Sequence, residues 1–130
     1  MNFRTESFID TAINVTTVSD NTAFVSNIID CKGAEYLEFL ILTGALFDSD
    51  ASFTVSIEDG NQPDLSDAVP VPARYLQDQP ADVSFSSDNE NEARRMGYRC
   101  RRRYARLTIT PSSNSANATI GALYALSGFA

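Results

Sequence analysis

The sequence contains no histidine, so the side chain that most often acts as a general base in enzymes and as a ligand for zinc is missing. It contains two cysteines, Cys31 and Cys100, which stand far apart and form no Cys-x-x-Cys motif. We expect both to be small core residues. The sequence leaves open whether they pair, although a reducing compartment would disfavour a disulfide. No metal and no cofactor are expected.

Two further patterns are missing. There is no glycine-rich phosphate loop, because Gly44, Gly60, Gly97 and Gly121 stand singly, as turn or bulge residues do. No segment approaches the roughly 18 apolar residues of a membrane-spanning helix, and the first residues lack the basic start and apolar run of a secretory signal. We therefore expect a soluble protein made in the cytoplasm, without a nucleotide site and without a membrane.

The composition is that of a folded β protein. The chain has 130 residues, of which 43% are hydrophobic and 21% charged. Threonine, serine, valine, isoleucine and aromatic residues are favoured over the residues typical of helical bundles. At this length we expect one domain over residues 1–130.

Alternation with a period of two residues supports that expectation. Apolar side chains alternate with others in segments 36–42 and 52–58, which predicts half-buried antiparallel strands. In segment 117–129 both alternating sets are apolar, as in a central strand or one covered by a partner. The connection over 60–81 carries four prolines and is expected to be an ordered loop or a short edge strand. The chain as a whole predicts an all-β, antiparallel β-sandwich of about eight strands, similar to a jelly roll.

The charge distribution is uneven. Seven of the ten basic residues lie in segment 94–106, called here the arginine segment. Subtracting these seven charges from the net charge of -7 leaves -14 on the rest of the chain. Alternation on both sides of Arg101 and Arg102 predicts a β-hairpin with these two residues near its turn.

Three interpretations of the arginine segment compete. Its side chains could be outward residues neutralised in part by the preceding Asp88, Glu90 and Glu92. They could form a protein interface, where the planar guanidinium pairs with carboxylates and stacks on tyrosine. They could bind nucleic acid, but the acidic remainder of the chain opposes attraction to a polyanion. We favour the protein interface and do not expect nucleic acid as a partner.

Two acidic loops have the every-second-residue oxygen spacing of a calcium loop. One contains Asp48 and Asp50, and the other Asp88, Glu90 and Glu92, but the second lacks the glycine and terminal glutamate of an EF-hand. We interpret both as solvated loops. A metal ion bound in the first loop would instead support an enzymatic function. With no catalytic constellation evident, we expect a protein that is not an enzyme.

Four strings carry a resemblance to a known group: LEFLILTGALFDSDASFTVSIEDG, DLSDAVPVPARYL, RRMGYRCRRRYARLTITP and ATIGALYALSG. Together they cover most of the chain from about residue 30 to residue 128. The chain resembles small proteins encoded among the head genes of tailed bacteriophages, of the kind that decorate or cement the capsid. The resemblance implies a jelly-roll or β-sandwich body that binds the outside of the shell, often as a dimer or trimer.

We therefore expect a virion structural protein that stabilises the capsid exterior as a homo-oligomer, with the major capsid protein as its partner. The predicted contact residues are Tyr98, Arg99, Arg101, Arg102, Arg103, Tyr104 and Arg106.

Two alternatives remain open. A receptor- or carbohydrate-binding module would use the connection over 60–81, where Tyr75 is the candidate aromatic residue. A head-completion or tail-joining protein would form a ring of fixed copy number.

Overall fold

The computed structural model describes residues 7–129, which are mostly β-strand. The ten strands of this part are β1 (Ser7–Val18), β2 (Phe24–Val25), β3 (Ile29–Asp30), β4 (Tyr36–Leu46), β5 (Ser52–Gly60), β6 (Val69–Pro70), β7 (Phe85–Ser86), β8 (Ala93–Arg99), β9 (Tyr104–Ser112) and β10 (Ala118–Ser127). One short helix, α1 (Pro80–Val83), and the 3-10 turns Ala73–Tyr75 and Ser87–Asn89 complete the elements. None of these described helices is long and apolar enough to cross a membrane.

The strands form two antiparallel sheets. The first has four strands in the order β1-β10-β4-β8. The second has the order β2-β9-β5-β6, with β3 also on β9 and β7 also on β5. Counting β2 with β3 and β6 with β7 as single interrupted strands gives two four-stranded sheets in the strand order of a jelly roll. The predicted all-β sandwich is confirmed.

The core lies between the inner faces of the two sheets, and the alternation in the sequence identifies it correctly. Leu37, Phe39 and Ile41 of β4 are fully buried, as is Val55 of β5. Their strand neighbours Leu42 and Thr54 are exposed. Each inner face is therefore built from every second residue of a strand, as the pleat requires.

Strand β10 explains why both of its alternating sets are apolar. It lies between β1 and β4 and turns Ile120, Ala122 and Leu126 towards the core. Its other set, which includes Leu123 and Ala125, faces outward. The interpretation as a central strand is confirmed, and an apolar outward set remains at the surface, where a partner could cover it.

The predicted hairpin in the arginine segment is wrong. Strand β8 pairs with β4 in the four-stranded sheet, whereas β9 pairs with β5, β2 and β3 in the other sheet. Residues 100–103 therefore cross from one sheet to the other. The two alternating sets that flank the crossing both face the core, but from opposite sides, and alternation alone cannot distinguish this from a hairpin.

Candidate functional site

The arginine segment is anchored by a carboxylate inside the protein. Asp59 lies near the end of β5 and has no exposed surface. It accepts hydrogen bonds from the Nε and Nη2 atoms of Arg101 at 2.8 and 2.9 Å, and from the hydroxyl of Tyr98 at 2.6 Å. The Nε atom of Arg102 lies 4.0 Å from the same carboxylate. A buried carboxylate is tolerated only when it is paired and hydrogen-bonded in this way.

Tyr98 belongs to this buried network and not to the surface. Its side chain has no exposed area, although it was predicted to contact a partner. Its hydroxyl also accepts the backbone N–H groups of Arg101 and Arg102, each at 3.3 Å. Burial and then the hydrogen bond to Asp59 raise the pKa of Tyr98 well above its usual value. The hydroxyl therefore stays protonated and donates to Asp59, while its oxygen positions the start of the crossing.

All seven clustered arginines have a carboxylate partner within 4.0 Å in the same chain. The pairs are Arg94–Glu92, Arg95–Glu38, Arg99–Glu35, Arg101–Asp59, Arg102–Asp59, Arg103–Asp30 and Arg106–Glu58. Only the first of these carboxylates comes from the preceding acidic stretch, and the others come from distant strands and turns. The positive charge predicted at the surface is therefore largely neutralised within the chain.

The predicted contact residues fall into two groups. Tyr98 is buried, and the Arg101 side chain is only 16% exposed. Arg99 and Arg103 are the most accessible of the seven predicted contact residues. The guanidinium of Arg103 lies 5.1 Å from the centre of the Tyr104 ring. Arg102, Tyr104 and Arg106 are partly exposed, so that polar groups are offered to another molecule mainly by Arg99 and Arg103.

The Arg103–Asp30 pair predicts a pH dependence of stability. Two hydrogen bonds of 3.0 Å from Arg103 hold the pKa of Asp30 below its usual value. Because the folded-state pKa is the lower one, the pair stabilises the fold above the unfolded pKa of about 3.9 and loses this effect as pH falls through the folded value. Asp30→Asn should lower the free energy of unfolding at neutral pH by about 1 kcal/mol or less, since the pair is exposed.

Urea unfolding of the wild type and of Asp30→Asn over a pH series checks this expectation. The two curves of stability against pH should converge in strongly acidic buffer. A difference that stays constant down to the most acidic pH would show that the carboxylate charge is not its cause.

The two acidic loops use their carboxylates to hold turns. One oxygen of Asp48 accepts the N–H of Asp50 at 2.9 Å, and the other accepts the N–H and hydroxyl of Ser115 at 2.8 and 2.9 Å. These bonds, led by the Ser115 N–H, lower the pKa of Asp48. Glu90 accepts the N–H of Leu46 at 2.7 Å. Over residues 7–129, no group of three or more potential ligands is arranged to hold a metal ion.

Tyr75, the candidate aromatic residue for carbohydrate binding, is already in contact with arginine. The guanidinium carbons of Arg74 and Arg101 lie 5.0 and 5.3 Å from the centre of its ring. Cation–π contacts of this kind occupy the surface that a sugar ring would stack on.

An exposed apolar patch occupies part of the outward side of the four-stranded sheet, next to the Arg95–Glu38 ion pair. We call it the outer sheet face and define it by Ile9, Val15, Leu40, Leu42 and Leu123. The exposed fractions of Val15, Leu42, Ile9 and Leu123 are 76%, 49%, 43% and 37%. Cross-strand pairing aligns Leu40 with Leu123, so that apolar side chains of neighbouring strands adjoin.

The centre of the outer sheet face is concave. Two adjoining depressions of about 260 and 150 Å³ share Val15, Leu42 and Gly121 in their walls. The glycine keeps the floor low, because a Cβ at this position would lie 2.9 Å from the Cγ2 atom of Val15. Sequence reasoning did not assign these residues to a site. The signal was present in Leu40 and Leu42, which occupy the outward positions of segment 36–42 together with a single charged residue, Glu38.

Comparison with known proteins identifies solved structures of similar fold but does not assign the chain to a protein family. No family model matches the chain, and no curated protein matches it. A chain in the structure of infectious bursal disease virus, Gx strain, matches with a TM-score of 0.53 and 10% identity. The match covers 92% of this chain and 31% of that chain, so the protein spans about a third of its length.

Two looser likenesses also involve viruses. The tailspike protein 4 enzymatically active domain of bacteriophage CBA120 matches with a TM-score of 0.49 and 14% identity, over 94% of this chain and 19% of that chain. A chain in the capsid of Ralstonia phage GP4 matches with a TM-score of 0.46 and 11% identity, over 95% and 83% of the two chains. TM-scores below 0.5 are too low to support a shared fold.

Proposed function

We propose that the protein is a structural protein of a bacteriophage virion, which decorates or cements the capsid as an oligomer and catalyses no reaction. The observation that carries this proposal is the outer sheet face. Contiguous exposed apolar side chains with a concave centre are typical of a protein–protein interface. The virion setting is supported by the resemblance of the sequence to phage head proteins and by the fold shared with a chain of infectious bursal disease virus.

A cementing role requires little beyond such a surface. A protein that binds across neighbouring capsid subunits stabilises the shell, because it adds contacts that exist only in the assembled particle. The jelly roll supplies a body of two packed sheets, and its central strands β10 and β4 hold Leu123 and Leu42 in fixed positions. A surface fixed in this way loses little conformational entropy on binding.

The arginine segment has a secondary part in this proposal. Arg101 and Tyr98 hold the crossing in place from inside, whereas Arg99, which pairs with Tyr36 in the four-stranded sheet, can add a polar contact at the rim of an interface on that sheet. Rim charges change the rate of association and its salt dependence more than the affinity. The main contact with the major capsid protein, or with a sister copy, is therefore assigned to the outer sheet face.

Co-sedimentation tests the proposal. Purified protein is mixed at rising concentration with capsid shells that lack it, from the phage that encodes it, at low and at high salt. We expect saturable binding at the stoichiometry of a repeated capsid site, with only a weak effect of salt, because apolar contacts are little screened. Absence of binding, or binding limited to the copies of one ring, would reject decoration, and the second result would indicate a head-completion or tail-joining protein.

A further inference from the structure

Strand β8 forms one edge of the four-stranded sheet, and every second residue of it directs its backbone groups away from the sheet. At one end of its pairing with β4, the N–H of Cys100 donates to the carbonyl of Glu35 at 2.9 Å. At the other end, the N–H of Thr43 donates to the carbonyl of Glu92 at 2.9 Å. In an antiparallel ladder only alternate residue pairs exchange hydrogen bonds. The register therefore turns the N–H and C=O groups of the intervening residues towards the open edge, among them Ala93, Arg95 and Gly97.

The connection over 60–81 covers one part of this edge. The N–H of Gln77 donates to the carbonyl of Gly97 at 2.9 Å, and the N–H of Gly97 donates to the Oδ2 atom of Asp78 at 3.0 Å. After Asp78 the chain turns away from β8 and forms α1. Within residues 7–129, no further backbone bond reaches the edge-facing groups of Ala93 and Arg95. The cover of the edge therefore ends between Gly97 and Arg95.

A depression of about 290 Å³ lies where the cover ends. It is lined by residues of β8 and of the segment that ends in α1, namely Asp78, Asp82, Val83, Ala93, Arg94 and Arg95. The guanidinium of Arg94 donates to the carbonyls of Val83 and Asp82 at 2.8 and 3.2 Å. These two bonds hold α1 in place beside β8, so that the depression is a built feature of the fold.

The depression carries negative charge that the chain does not compensate. Both of its arginines are already paired with glutamates. In the described part of the chain, no lysine or arginine nitrogen lies within 4.0 Å of the carboxylate of Asp78 or Asp82. Asp82 is also exposed. A basic side chain of another molecule would therefore meet two carboxylates here.

We propose that this edge of β8 binds an extended segment of a partner protein as an added strand, with a lysine or arginine of that segment beside Asp78 and Asp82. The backbone of the segment bonds the N–H and C=O groups of Ala93 and Arg95, and so continues along β8 the pairing that Gln77 makes with Gly97. In strand addition of this kind, backbone bonds supply affinity and side-chain contacts supply specificity. The inference is independent of the proposed role in the virion, because it rests on the edge of one strand.

NMR titration of the isotope-labelled protein with a short blocked peptide tests the proposal. The probe is the peptide threonine-lysine-valine-lysine-threonine. We expect saturable changes in the amide signals of Ala93, Arg95 and Asp82. The same peptide with N-methylvaline should cause none, because the methyl group replaces the hydrogen that the valine donates. A peptide with glutamate in place of both lysines should bind about fivefold more weakly or less, since exposed charge pairs contribute up to about 1 kcal/mol.

Two variants of one residue separate the backbone group from the side chain. Arg95→Pro removes an N–H that the ladder with β4 does not use, which an edge strand tolerates. This variant should bind the lysine peptide about tenfold more weakly, because one hydrogen bond is lost and the ring occupies its place. Arg95→Ala removes the same side chain but keeps the N–H, and should bind at least as tightly as the wild type. Asp82→Asn should weaken binding about two- to fivefold.

The proposal would be overturned by the absence of a saturable change, by changes that lie away from β8, or by equal binding to Arg95→Pro and Arg95→Ala. Equal binding of the lysine and glutamate peptides would overturn the assigned preference for a basic partner. The comparison of the lysine peptide with its N-methylated form uses the wild type alone, so it does not depend on the folding of any variant.

Discussion

Replacing Asp59 by alanine is expected to destabilise the protein by about 3 to 5 kcal/mol, which is a large part of the stability of a domain of this size. The carboxylate has no exposed surface, and it accepts hydrogen bonds from Arg101 and from the hydroxyl of Tyr98. Removing it leaves a guanidinium and a hydroxyl partly buried without their partner. The midpoint and slope of urea unfolding measure the loss.

Matched variants separate burial from charge pairing. Asp30→Ala removes the carboxylate of an exposed arginine pair and should cost about 1 kcal/mol or less. Tyr98→Phe removes one hydrogen bond to Asp59 and should cost about 1 to 3 kcal/mol. Asp59→Asn keeps the shape of the side chain and provides a measurement if the alanine variant does not fold. If Asp59→Ala cost no more than Asp30→Ala, the buried network would not be what anchors the crossing.

Introducing a charge on the outer sheet face is expected to weaken binding to the shell by more than about tenfold while leaving the fold intact. Leu42→Glu places a carboxylate at a side chain that is 49% exposed, so the free protein should lose no more than about 0.5 kcal/mol. In an interface the same carboxylate would be buried without a partner. We expect the dissociation constant to rise by more than about tenfold, which corresponds to about 1.4 kcal/mol. Co-sedimentation with shells measures the change.

A control of the same charge lies on the other sheet. Thr54 is exposed on the outward side of β5, and Thr54→Glu adds one negative charge without touching the outer sheet face. Its binding should equal that of the wild type. If Thr54→Glu weakened binding as much as Leu42→Glu did, the effect would arise from net charge, and the outer sheet face would not be the contact.

The sheets could be predicted from the sequence because a strand with one buried face has apolar residues at every second position. Segments 36–42 and 52–58 gave β4 and β5 with their inward residues correctly assigned. The short edge strands of the second sheet were less visible, since β2, β3, β6 and β7 have two residues each and leave no periodic signal. Two interrupted strands therefore account for the difference between the predicted eight strands and the observed ten.

The arginine segment could not be interpreted from the sequence because its partners are remote in the chain. In the sequence, several strands separate Arg101 from Asp59 and Arg103 from Asp30. Only the fold brings the two members of each pair into contact. One signal was available. Asp59 continues the inward set of Phe53, Val55 and Ile57, and a carboxylate at a core position requires a buried cation or donor. The chain supplies both at Arg101 and Tyr98.

The central claim is that the protein binds the capsid through the outer sheet face, and an electron cryomicroscopy reconstruction of the decorated shell tests it most directly. The account predicts a jelly roll at each repeated site, with Val15, Leu42 and Leu123 covered by a capsid subunit or a sister copy and with the Asp59 network away from the contact. A reconstruction in which these three side chains face solvent while Arg99 and Arg103 contact the shell would contradict it.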